Sequence, residues 1–383
     1  MVLGGSSKLL KALNEAAALG HLLDHGELTR AELRALTGLS KPTVSEAIRR
    51  LTEAGLVVGV GHETGRPGPN AEVYAVNPDA AYAVAMSVRD HAPALTAALY
   101  DLRGAQRAHL EVPVDFTRTD PVSAVDETVA ALCEAAGASR EPVAHVQLAV
   151  AGAFDPRDRV IHHVDVPGWS RPGLVDELGA RLGTAVGIDN DVNLAALAER
   201  AHGAAQGADA FVLLWLGDSG LGLAIDLGFA WSGSIGAEPH RARPGVGALL
   251  RGARGGAGEI GYIPVGDGDF HDLVGPDAVR ALAARYDTRE ELLKELAGRI
   301  VLGLAAVVAV LDPPLVVIGG ELARAYGEPL GDAVTKAMSH AAPLETAIAV
   351  STVDGDAPLL GAGDAAVTAV RETLLAALRQ PTP

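Results

Sequence analysis

Strand-like and helical segments alternate along most of this chain, from Ala81 onward. The strand-like runs are YAVAMSV, ALTAALYDL, VAHVQLAVAGAF, TAVGIDND, FVLLWLG, GLAIDLG and PLVVIGG. Such alternation predicts α/β layers, and a strand pair followed by a helix and a strand near each half predicts two related lobes with a cleft between them. Aromatic residues are only 4% of the chain, so Ala, Val and Leu must build the core.

The length and the cysteine count exclude several classes of protein. At 383 residues, the chain suits two or three domains. Its longest apolar run, residues 300–311, is well short of the roughly 20 residues that span a bilayer. Glu15, His21 and Asp24 interrupt the N-terminal apolar residues, which argues against a signal peptide, so we expect a cytoplasmic protein without a membrane partner. Cys133 is the only cysteine, which excludes an intrachain disulfide and a thiolate-rich metal site.

The first seventy-odd residues carry the signals of three helices. An apolar face at three- and four-residue steps predicts a first helix of about four turns, and its members are Leu9, Leu13, Ala16, Gly20 and Leu23. In LTRAELRALTG, Thr29 and Glu32 form a capping box, and Gly38 is a stop signal. In LSKPTVSEAIRRLTEAGLV, Ser40 is the expected N-cap, and Pro42 falls in the first turn, where its missing N–H costs nothing.

The third helix has an apolar face and a polar face. Its inner stripe is Val44, Ala47, Ile48 and Leu51. Short polar side chains at its N-terminal end, followed by arginines, suit a helix that lies in the major groove of DNA. Two alternating runs around a Gly/Pro-rich turn follow and predict a β-hairpin wing. The predicted DNA-binding residues are Lys41, Thr43, Ser45, Arg49, Arg50 and, in the wing, Arg66.

The net charge differs between the regions of the chain. The whole chain has a net charge of -17, which would argue against nucleic acid, but residues 1–70 have a net charge of +1. The alternative is a set of three packed helices whose charged face is only solvated. The order of three helices and a wing, with an arginine in the wing, favours DNA binding.

Several motifs resemble the ROK family of sugar-dependent repressors and sugar kinases. They are LAVAGAFDP, VDVPGW, GIDNDVNLAALAE, GLGLAIDLG, GARGGAGEIGY and LDPPLVVIGGELA, in the family's order and approximate spacing. The resemblance implies an α/β fold: an N-terminal winged helix-turn-helix followed by an actin-like, ribonuclease-H-like, two-lobed ROK domain. We expect the winged helix in residues 1–78 and the ROK domain in residues 79–383. Lobe one would be about 79–189 plus the C-terminal helix, and lobe two about 190–360.

The resemblance raises the question of kinase activity. In the family's kinases, an Asp at the position of Asp191 is the general base, and the phosphate loop resembles Asp-x-Gly-Gly-Thr. Here RDHAP, from Arg89 to Pro93, occupies that place, both glycines are missing, and Pro93 has no N–H to donate. Gly319 and Gly320 resemble the family's adenosine-side turn, or form a simple strand-to-helix turn. We therefore expect no enzyme, with Asp191 as the catalytic residue only if the chain is a kinase.

The remaining family motifs indicate a sugar site. Asn190 and Asp191 can hydrogen-bond adjacent sugar hydroxyls, or they can simply cap the helix that follows. Glu259 is the family's second ligand carboxylate, and its neighbouring glycines 255, 256, 258 and 261 would let the backbone approach the sugar; the alternative is a flexible loop with a solvated glutamate. Trp169 either packs on the sugar or anchors a loop. The predicted effector-binding residues are Gly152, Trp169, Asn190, Asp191, Glu259, Tyr262 and His271.

The chain departs from the family at the zinc site. Most members bind zinc through a His directly after the Gly-Glu-Ile-Gly motif and three cysteines. Tyr262 stands at that His position, and the following loop has no cysteine, so we expect no zinc and no other cofactor. His271 falls near a further sugar-binding glutamate of the family, so Tyr262 and His271 would reshape sugar specificity.

A segment of about twenty residues, 229–250, is inserted relative to family loop lengths. It is interpreted as a lid over the cleft or a contact with a partner subunit. Arg241, Arg243, Arg251 and Arg254 suggest the phosphate of a sugar phosphate, although scattered arginines are more often solvated.

Together these features predict a regulator that responds to a monosaccharide or a sugar phosphate bound between the lobes. We expect a repressor of carbohydrate uptake or catabolism genes that binds operator DNA as a homodimer or a dimer of dimers. Activation rather than repression stays open. The alternatives are an ATP-dependent sugar kinase with a DNA-binding head and a regulator controlled by a protein partner.

Overall fold

The computed structural model describes residues 3–62, 71–218, 220–228, 249–341 and 345–380. Its N-terminal part consists of α1 (Leu3–His25), β1 (Leu28–Thr29), α2 (Arg30–Thr37), α3 (Lys41–Glu53), β2 (Val57–His62) and β3 (Glu72–Val76). The three strands form a sheet in the order β1-β3-β2, and β2 and β3 are antiparallel. The predicted order of three helices and a wing is therefore confirmed. Arg66, in the turn of the wing, lies outside the described residues.

The predicted caps of α2 and α3 are present. Thr29 Oγ1 accepts a hydrogen bond from the Glu32 N–H at 3.3 Å, and the Glu32 carboxylate accepts one from the Thr29 N–H at 2.8 Å. Gly38, with φ of 70°, ends α2 in the left-handed conformation that glycine adopts without strain. Ser40 caps α3, because its Oγ accepts a hydrogen bond from the Thr43 N–H at 3.4 Å.

Two mixed sheets, two short antiparallel hairpins and the helices around them form the rest of the described structure. The strands are β4 (Tyr82–Val88), β5 (Leu95–Asp101), β6 (Gln106–Val112), β7 (Val143–Val150), β8 (Ala153–Asp155), β9 (Val160–His162), β10 (Ala185–Asn190), β11 (Phe211–Leu216), β12 (Leu221–Asp226), β13 (Pro264–Val265), β14 (Gly268–Asp269), β15 (Leu315–Gly319) and β16 (Ala347–Val350). The helices are α4 (Pro121–Ala136), α5 (Leu174–Leu182), α6 (Asp191–His202), α7 (Phe270–Val274), α8 (Pro276–Arg285), α9 (Arg289–Leu311), α10 (Glu321–Tyr326), α11 (Glu328–Ala341) and α12 (Ala357–Arg379). None of the helices in the described ranges is long and apolar enough to cross a membrane.

The two large sheets have a similar pattern. The first has the order β10-β7-β4-β5-β6, in which β4, β5 and β6 are antiparallel and β7 and β10 run parallel to β4. The second has the order β12-β11-β15-β16, in which β12 is antiparallel to β11 and the others are parallel to it. Each sheet thus joins antiparallel strands, three in the first and two in the second, to parallel strands that are reached through helices. The predicted α/β layers are confirmed.

The C-terminal helix α12 packs against several parts of the molecule. It contacts α6, the strands β4, β5 and β7, and α1 of the N-terminal part. Ala362, Ala366 and Val370 of α12 belong to one apolar cluster with Leu19 and Leu22 of α1. The N-terminal part and the first sheet therefore share one continuous core.

The buried face of α1 differs from the predicted one. Leu9 and Leu13 are 43% and 44% exposed. The buried residues of this helix are Ala12, Ala16, Ala18, Leu19 and Leu22. Spacing alone fitted both faces, and contact with α3 on one side and α12 on the other selects the face rich in alanine.

Glycines set the distance between α12 and its neighbours. A Cβ added to Gly361 would lie 1.8 Å from the carbonyl oxygen of Leu194 in α6. A Cβ added to Gly363 would lie 2.6 Å from the ring of Tyr100 in β5. Any larger residue would have to push the backbones apart.

We expect Gly361→Ala to lower the free energy of unfolding by about 2 kcal/mol or more, because the added methyl overpacks the contact between α6 and α12. Gly298 in α9 is the matched control, because a Cβ there would meet no atom within 4 Å. Gly298→Ala should instead raise stability by about 0.5–1 kcal/mol through helix propensity. Urea denaturation followed by circular dichroism measures both. A Gly361→Ala protein as stable as the parent would contradict this close contact.

Candidate functional site

A cavity of about 310 Å³ is bounded by the ends of strands from both large sheets. Its walls come from the residues after β7, the junction of β10 and α6, the start of β12, the segment 257–262 and the start of α7. The polar side chains with acidic, amide, imidazole or phenol groups that line it are Asp90, His163, Asp165, Asn190, Asp191, Glu259, Tyr262, Asp269 and His271. Within the described ranges, its lining includes five carboxylates but no lysine and no arginine.

Asn190 is held by the protein on most sides. Its Oδ1 accepts hydrogen bonds from the N–H groups of Val192 at 2.9 Å and Asn193 at 3.2 Å, so it is the N-cap of α6. Its Nδ2 donates to the carbonyl oxygen of Gly152 at 3.2 Å. The capping role considered from the sequence is therefore present, and only part of the amide group is left to meet a ligand.

Asp191 begins α6 and faces the cavity. Its carboxylate accepts a hydrogen bond from the Val192 N–H at 2.8 Å. Burial, with a smaller contribution from the negative charge of Glu259, raises its pKa to about 6 against the effect of this hydrogen bond. Burial also raises the pKa of Glu259. Two carboxylates with raised pKa, neither paired with a lysine or an arginine among the described residues, can accept hydrogen bonds from a ligand that donates them.

Two of the glycines around Glu259, Gly255 and Gly258, serve the packing of the protein itself. A Cβ on Gly258, which has φ of 97°, would lie 1.8 Å from the carbonyl oxygen of Leu223 in β12. A Cβ on Gly255 would lie 2.2 Å from the carbonyl oxygen of Phe154 in β8. The sequence interpretation assigned their small size to close approach of a sugar, whereas these two glycines let the loop pack on two strands.

Tyr262 and His271 both line the cavity, as does His163, which sequence reasoning missed. The rings of His163 and Tyr262 are 5.5 Å apart. Tyr262 is 61% exposed, so it stands at the mouth of the cavity rather than at its base. The motif VDVPGW begins directly after His163, and this adjacency was the available signal.

Trp169 is not part of this cavity. Its side chain is fully buried and packs edge-to-face on Phe116, with ring centroids 5.6 Å apart. It belongs to the apolar cluster of the first sheet. The interpretation as a loop anchor replaces the predicted sugar contact, because a side chain inside the core cannot reach a ligand in the cavity.

Arg251 has a partner within the protein. Its guanidinium donates to the Asp189 carboxylate at 2.6 and 2.9 Å, which ties the glycine-rich segment to the end of β10. This arginine is therefore engaged and does not line the cavity, contrary to the suggested contact with a phosphate. Arg241, Arg243 and most of the inserted segment lie outside the described residues.

The loop after the Gly-Glu-Ile-Gly motif does not fit zinc. Tyr262 supplies no imidazole, and the carboxylates of Asp269 and Asp272 each accept a hydrogen bond from the other's N–H at the start of α7. Cys133 is buried in the core of the first sheet. No set of four zinc ligands is thus available in this loop.

A second group of side chains with metal-ligand chemistry lies outside this loop. Asp155, Asp158 and His162 lie on the hairpin of β8 and β9 and place donor atoms within 4.8 Å of one another. Arg157 already forms an ion pair with Asp155 at 2.9 Å. We assign no metal to this group.

The segment that would form the phosphate loop of a kinase is the turn between β4 and β5. The Arg89 N–H donates to the carbonyl oxygen of Ala94 at 2.9 Å, which closes the turn. The Arg89 guanidinium forms an ion pair with Asp356 at the start of α12. The only cationic side chain of this turn is therefore already paired.

The predicted DNA-binding residues of α3 are at least partly exposed, but the two arginines have acidic partners. Arg49 is paired with Glu46 and Glu53, and Arg50 is paired with Glu46 and Glu15. Hydrogen bonds from the two arginines lower the pKa of Glu46 to about 2. Because all these pairs are at least partly solvated, an arginine can exchange its partner for a phosphate at small cost.

Comparison with known proteins identifies the two parts of the chain. Residues 90–241 match the ROK family, and residues 12–66 match the MarR family. The chain carries a ROK domain behind a MarR-type winged helix.

Two curated relatives differ in activity. The bifunctional enzyme NanE/NanK of Brucella suis biovar 1 (strain 1330) is 30% identical over 213 residues, which are 50% of this chain and 36% of the enzyme. The xylose repressor of Bacillus subtilis (strain 168) is 24% identical over 293 residues, which are 75% of this chain and 68% of the repressor. The chain therefore spans little more than a third of the enzyme's length and about two thirds of the repressor's.

A solved ROK family transcriptional regulator, described as a homologue of the E. coli MLC protein, has the same architecture. Its TM-score is 0.69 at 17% identity, over 97% of this chain and 99% of that chain. At this identity, the likeness shows the fold. The predicted fold class, a winged helix followed by an actin-like ROK domain, is confirmed.

The raised pKa of Asp191 predicts a pH-dependent effect on stability. Because its pKa is about 6 in the folded protein against an ordinary 3.8, ionisation of Asp191 costs stability as the pH rises from about 4 to 6. Asp191→Asn keeps the acceptor for the Val192 N–H and removes this cost. We expect the variant to be more stable than the parent by about 2 kcal/mol at pH 7, with the difference shrinking toward pH 4. Denaturation at several pH values measures it, and a difference that does not change with pH would contradict this assignment.

Proposed function

We propose that the protein is a sugar-responsive transcriptional repressor of carbohydrate uptake or catabolism genes. The observation that carries this proposal is the position of the acidic cavity at the first residue of α6, which packs on α12, while α12 shares a core with the winged helix. A ligand at Asp191 therefore sits at the end of a continuous path of packed helices that leads to the DNA-binding part. The name of the xylose repressor, a curated relative, supports the same function.

The effector that this cavity fits best is an unphosphorylated sugar. Hydroxyl groups of a sugar can donate hydrogen bonds to Asp191 and Glu259. A phosphate would meet five carboxylates and neither a lysine nor an arginine among the described residues that line the cavity. Unphosphorylated sugars are thus favoured over sugar phosphates.

We propose that the chain is not a kinase, although NanE/NanK is among its relatives. Phosphoryl transfer depends on several groups that position and neutralise the phosphates together. The turn at Arg89–Ala94 contains no glycine, and its arginine is paired with Asp356. Phosphorylation of a hexose by ATP and Mg²⁺ that depends on Asp191 would overturn this part of the proposal.

The proposed repressor acts in the cytoplasm as a homodimer or a dimer of dimers. We propose a boundary between residues 78 and 79, after the last strand of the wing, with the ROK lobes divided near residue 190. Two winged helices on a two-fold operator gain affinity and specificity over one. The effector changes DNA binding only if it binds one arrangement of the heads better than the other.

The sugar site can be tested by substituting its two carboxylates. We expect a free sugar from a panel of pentoses, hexoses and N-acetylated hexosamines to raise the melting temperature of the parent protein. Asp191→Ala and Glu259→Gln should each weaken its binding about tenfold or more, because each removes an acceptor for a sugar hydroxyl. Asp277→Asn, at a 92% exposed side chain in α8, is the matched control and should bind normally. A protein that binds no free sugar would contradict the proposal and favour control by a protein partner.

The DNA-binding face can be tested by separating charge from sequence recognition. Lys41→Ala should weaken binding to every duplex and lower the slope of log affinity against log salt by about one. Ser45→Ala should mainly change the sequence selected from a random DNA pool. Lys294→Ala, at an exposed position of α9, is the control for loss of a lysine. If Lys41→Ala and Ser45→Ala change binding in the same way, the assignment of α3 as the recognition helix fails.

A further inference from the structure

A second cavity of about 380 Å³ adjoins the first. Asp90, Ala151, Asp191 and Trp215 line both cavities, so the two spaces meet along these residues. Their volumes are similar, and Trp215 adds an apolar ring surface to each. The carboxylate of Asp191 therefore stands at the junction of two spaces that can each hold a ring of the same size.

One wall of the second cavity is a row of polar residues across three neighbouring strands. Thr96 in β5 is the register partner of Ser87 in β4 and of Glu111 in β6. Side chains that are directly opposite on paired strands lie on the same face of the sheet, and all three residues line this cavity.

The hydroxyl of Thr96 is buried beside the second cavity. Thr96 is only 3% exposed, and in the described part of the chain its Oγ1 has no hydrogen-bond partner. A buried hydroxyl without a partner is unfavourable. A ligand in this cavity that carries hydroxyl groups would supply the missing hydrogen bond.

The charges around the second cavity disfavour a nucleotide. Arg89 is paired with Asp356, and Arg324 donates to the carbonyl oxygen of Gly355 at 2.9 Å, so both lining arginines have partners. Further carboxylates that line this cavity are Glu111, Asp218 and Glu321. A triphosphate would lie beside this excess of negative charge, whereas sugar hydroxyls can donate to it.

We propose that the second cavity is a further sugar subsite, so that the effector is a disaccharide or a longer oligosaccharide. One sugar unit occupies each cavity, and the linkage between the units passes Asp191. This inference rests on the proposed function, because it assumes that the first cavity binds a sugar. Ser87, Thr96 and Glu111 contact the second unit and do not contact the first.

Calorimetric titration of the full chain tests this inference. The ligands are glucose, xylose and N-acetylglucosamine, and then maltose, cellobiose, xylobiose and diacetylchitobiose, with the non-hydrolysable ATP analogue AMP-PNP as a separate arm. We expect at least one disaccharide to bind about tenfold more tightly than its own monosaccharide. AMP-PNP should give no heat.

Thr96→Val removes the hydroxyl and keeps the shape of the side chain. It should weaken disaccharide binding about fivefold and leave monosaccharide binding unchanged. Thr346→Val is the matched control, because Thr346 also has a buried Oγ1 without a partner in the described ranges but does not line either cavity. It should bind both ligands as the parent does.

Three results would overturn the inference. Disaccharides that bind no more tightly than monosaccharides would remove the second subsite while leaving the proposed function intact. Equal effects of Thr96→Val on both ligand classes, or binding of AMP-PNP that competes with the disaccharide, would also remove it. Failure of every sugar to bind would remove the proposed function as well, so the two failures can be told apart.

Discussion

The close contact between α6 and α12 is the constraint on which both ends of the molecule depend. The backbone of Gly361 lies against Leu194 with no room for a Cβ, and His202 and Asp364 approach to 2.8 Å further along the same pair of helices. α6 begins at Asp191 in the cavity, while α12 shares its core with α1 of the winged helix. Because close-packed interiors do not deform continuously, a shift of α6 either moves α12 as a body or is prevented. The contact between α6 and α12 therefore either couples the cavity to the winged helix or keeps the winged helix fixed.

The free energy for such a shift would come from binding of a ligand in the cavity. Without a ligand, burial of Asp191 and Glu259 costs their ionised forms hydration, and this loss raises the pKa of both groups, although the nearby His163 opposes the rise at Glu259. Hydroxyl donors favour the ionised carboxylate, so a sugar bound as proposed would lower these pKa values. The same two carboxylates would thus select a ligand that donates hydrogen bonds.

Local signals in the sequence predicted many of the helices and strands. They did not predict contacts between residues that are far apart in the sequence. The caps at Thr29 and Ser40 depend on residues three positions away, so their helices could be placed from the sequence. The strand β6 was missed because QRAHLEV is largely exposed and lacks an apolar run. The pairing of Asp189 with Arg251 joins residues 62 positions apart, and no local pattern marks it. The sequence showed that glycines around Glu259 are necessary. It did not show whether a ligand or a neighbouring strand requires their small size.

The charge of the winged helix explains why the packing of α1 on α12 matters for the proposed DNA binding. Glu46 lies between Arg49 and Arg50 and pairs with both, so one recognition helix offers little excess positive charge to a duplex. Affinity for DNA grows with the number of phosphates neutralised, and one such head neutralises few. In the proposed dimer, useful affinity then requires two heads that contact the operator at once, which makes their separation decisive. Within one chain, the core shared by α1 and α12 fixes the orientation of the winged helix relative to its own cavity. A weakly charged winged helix is therefore suited to control by geometry. A small change where α1 packs on α12 would remove the contact of the second winged helix with the operator.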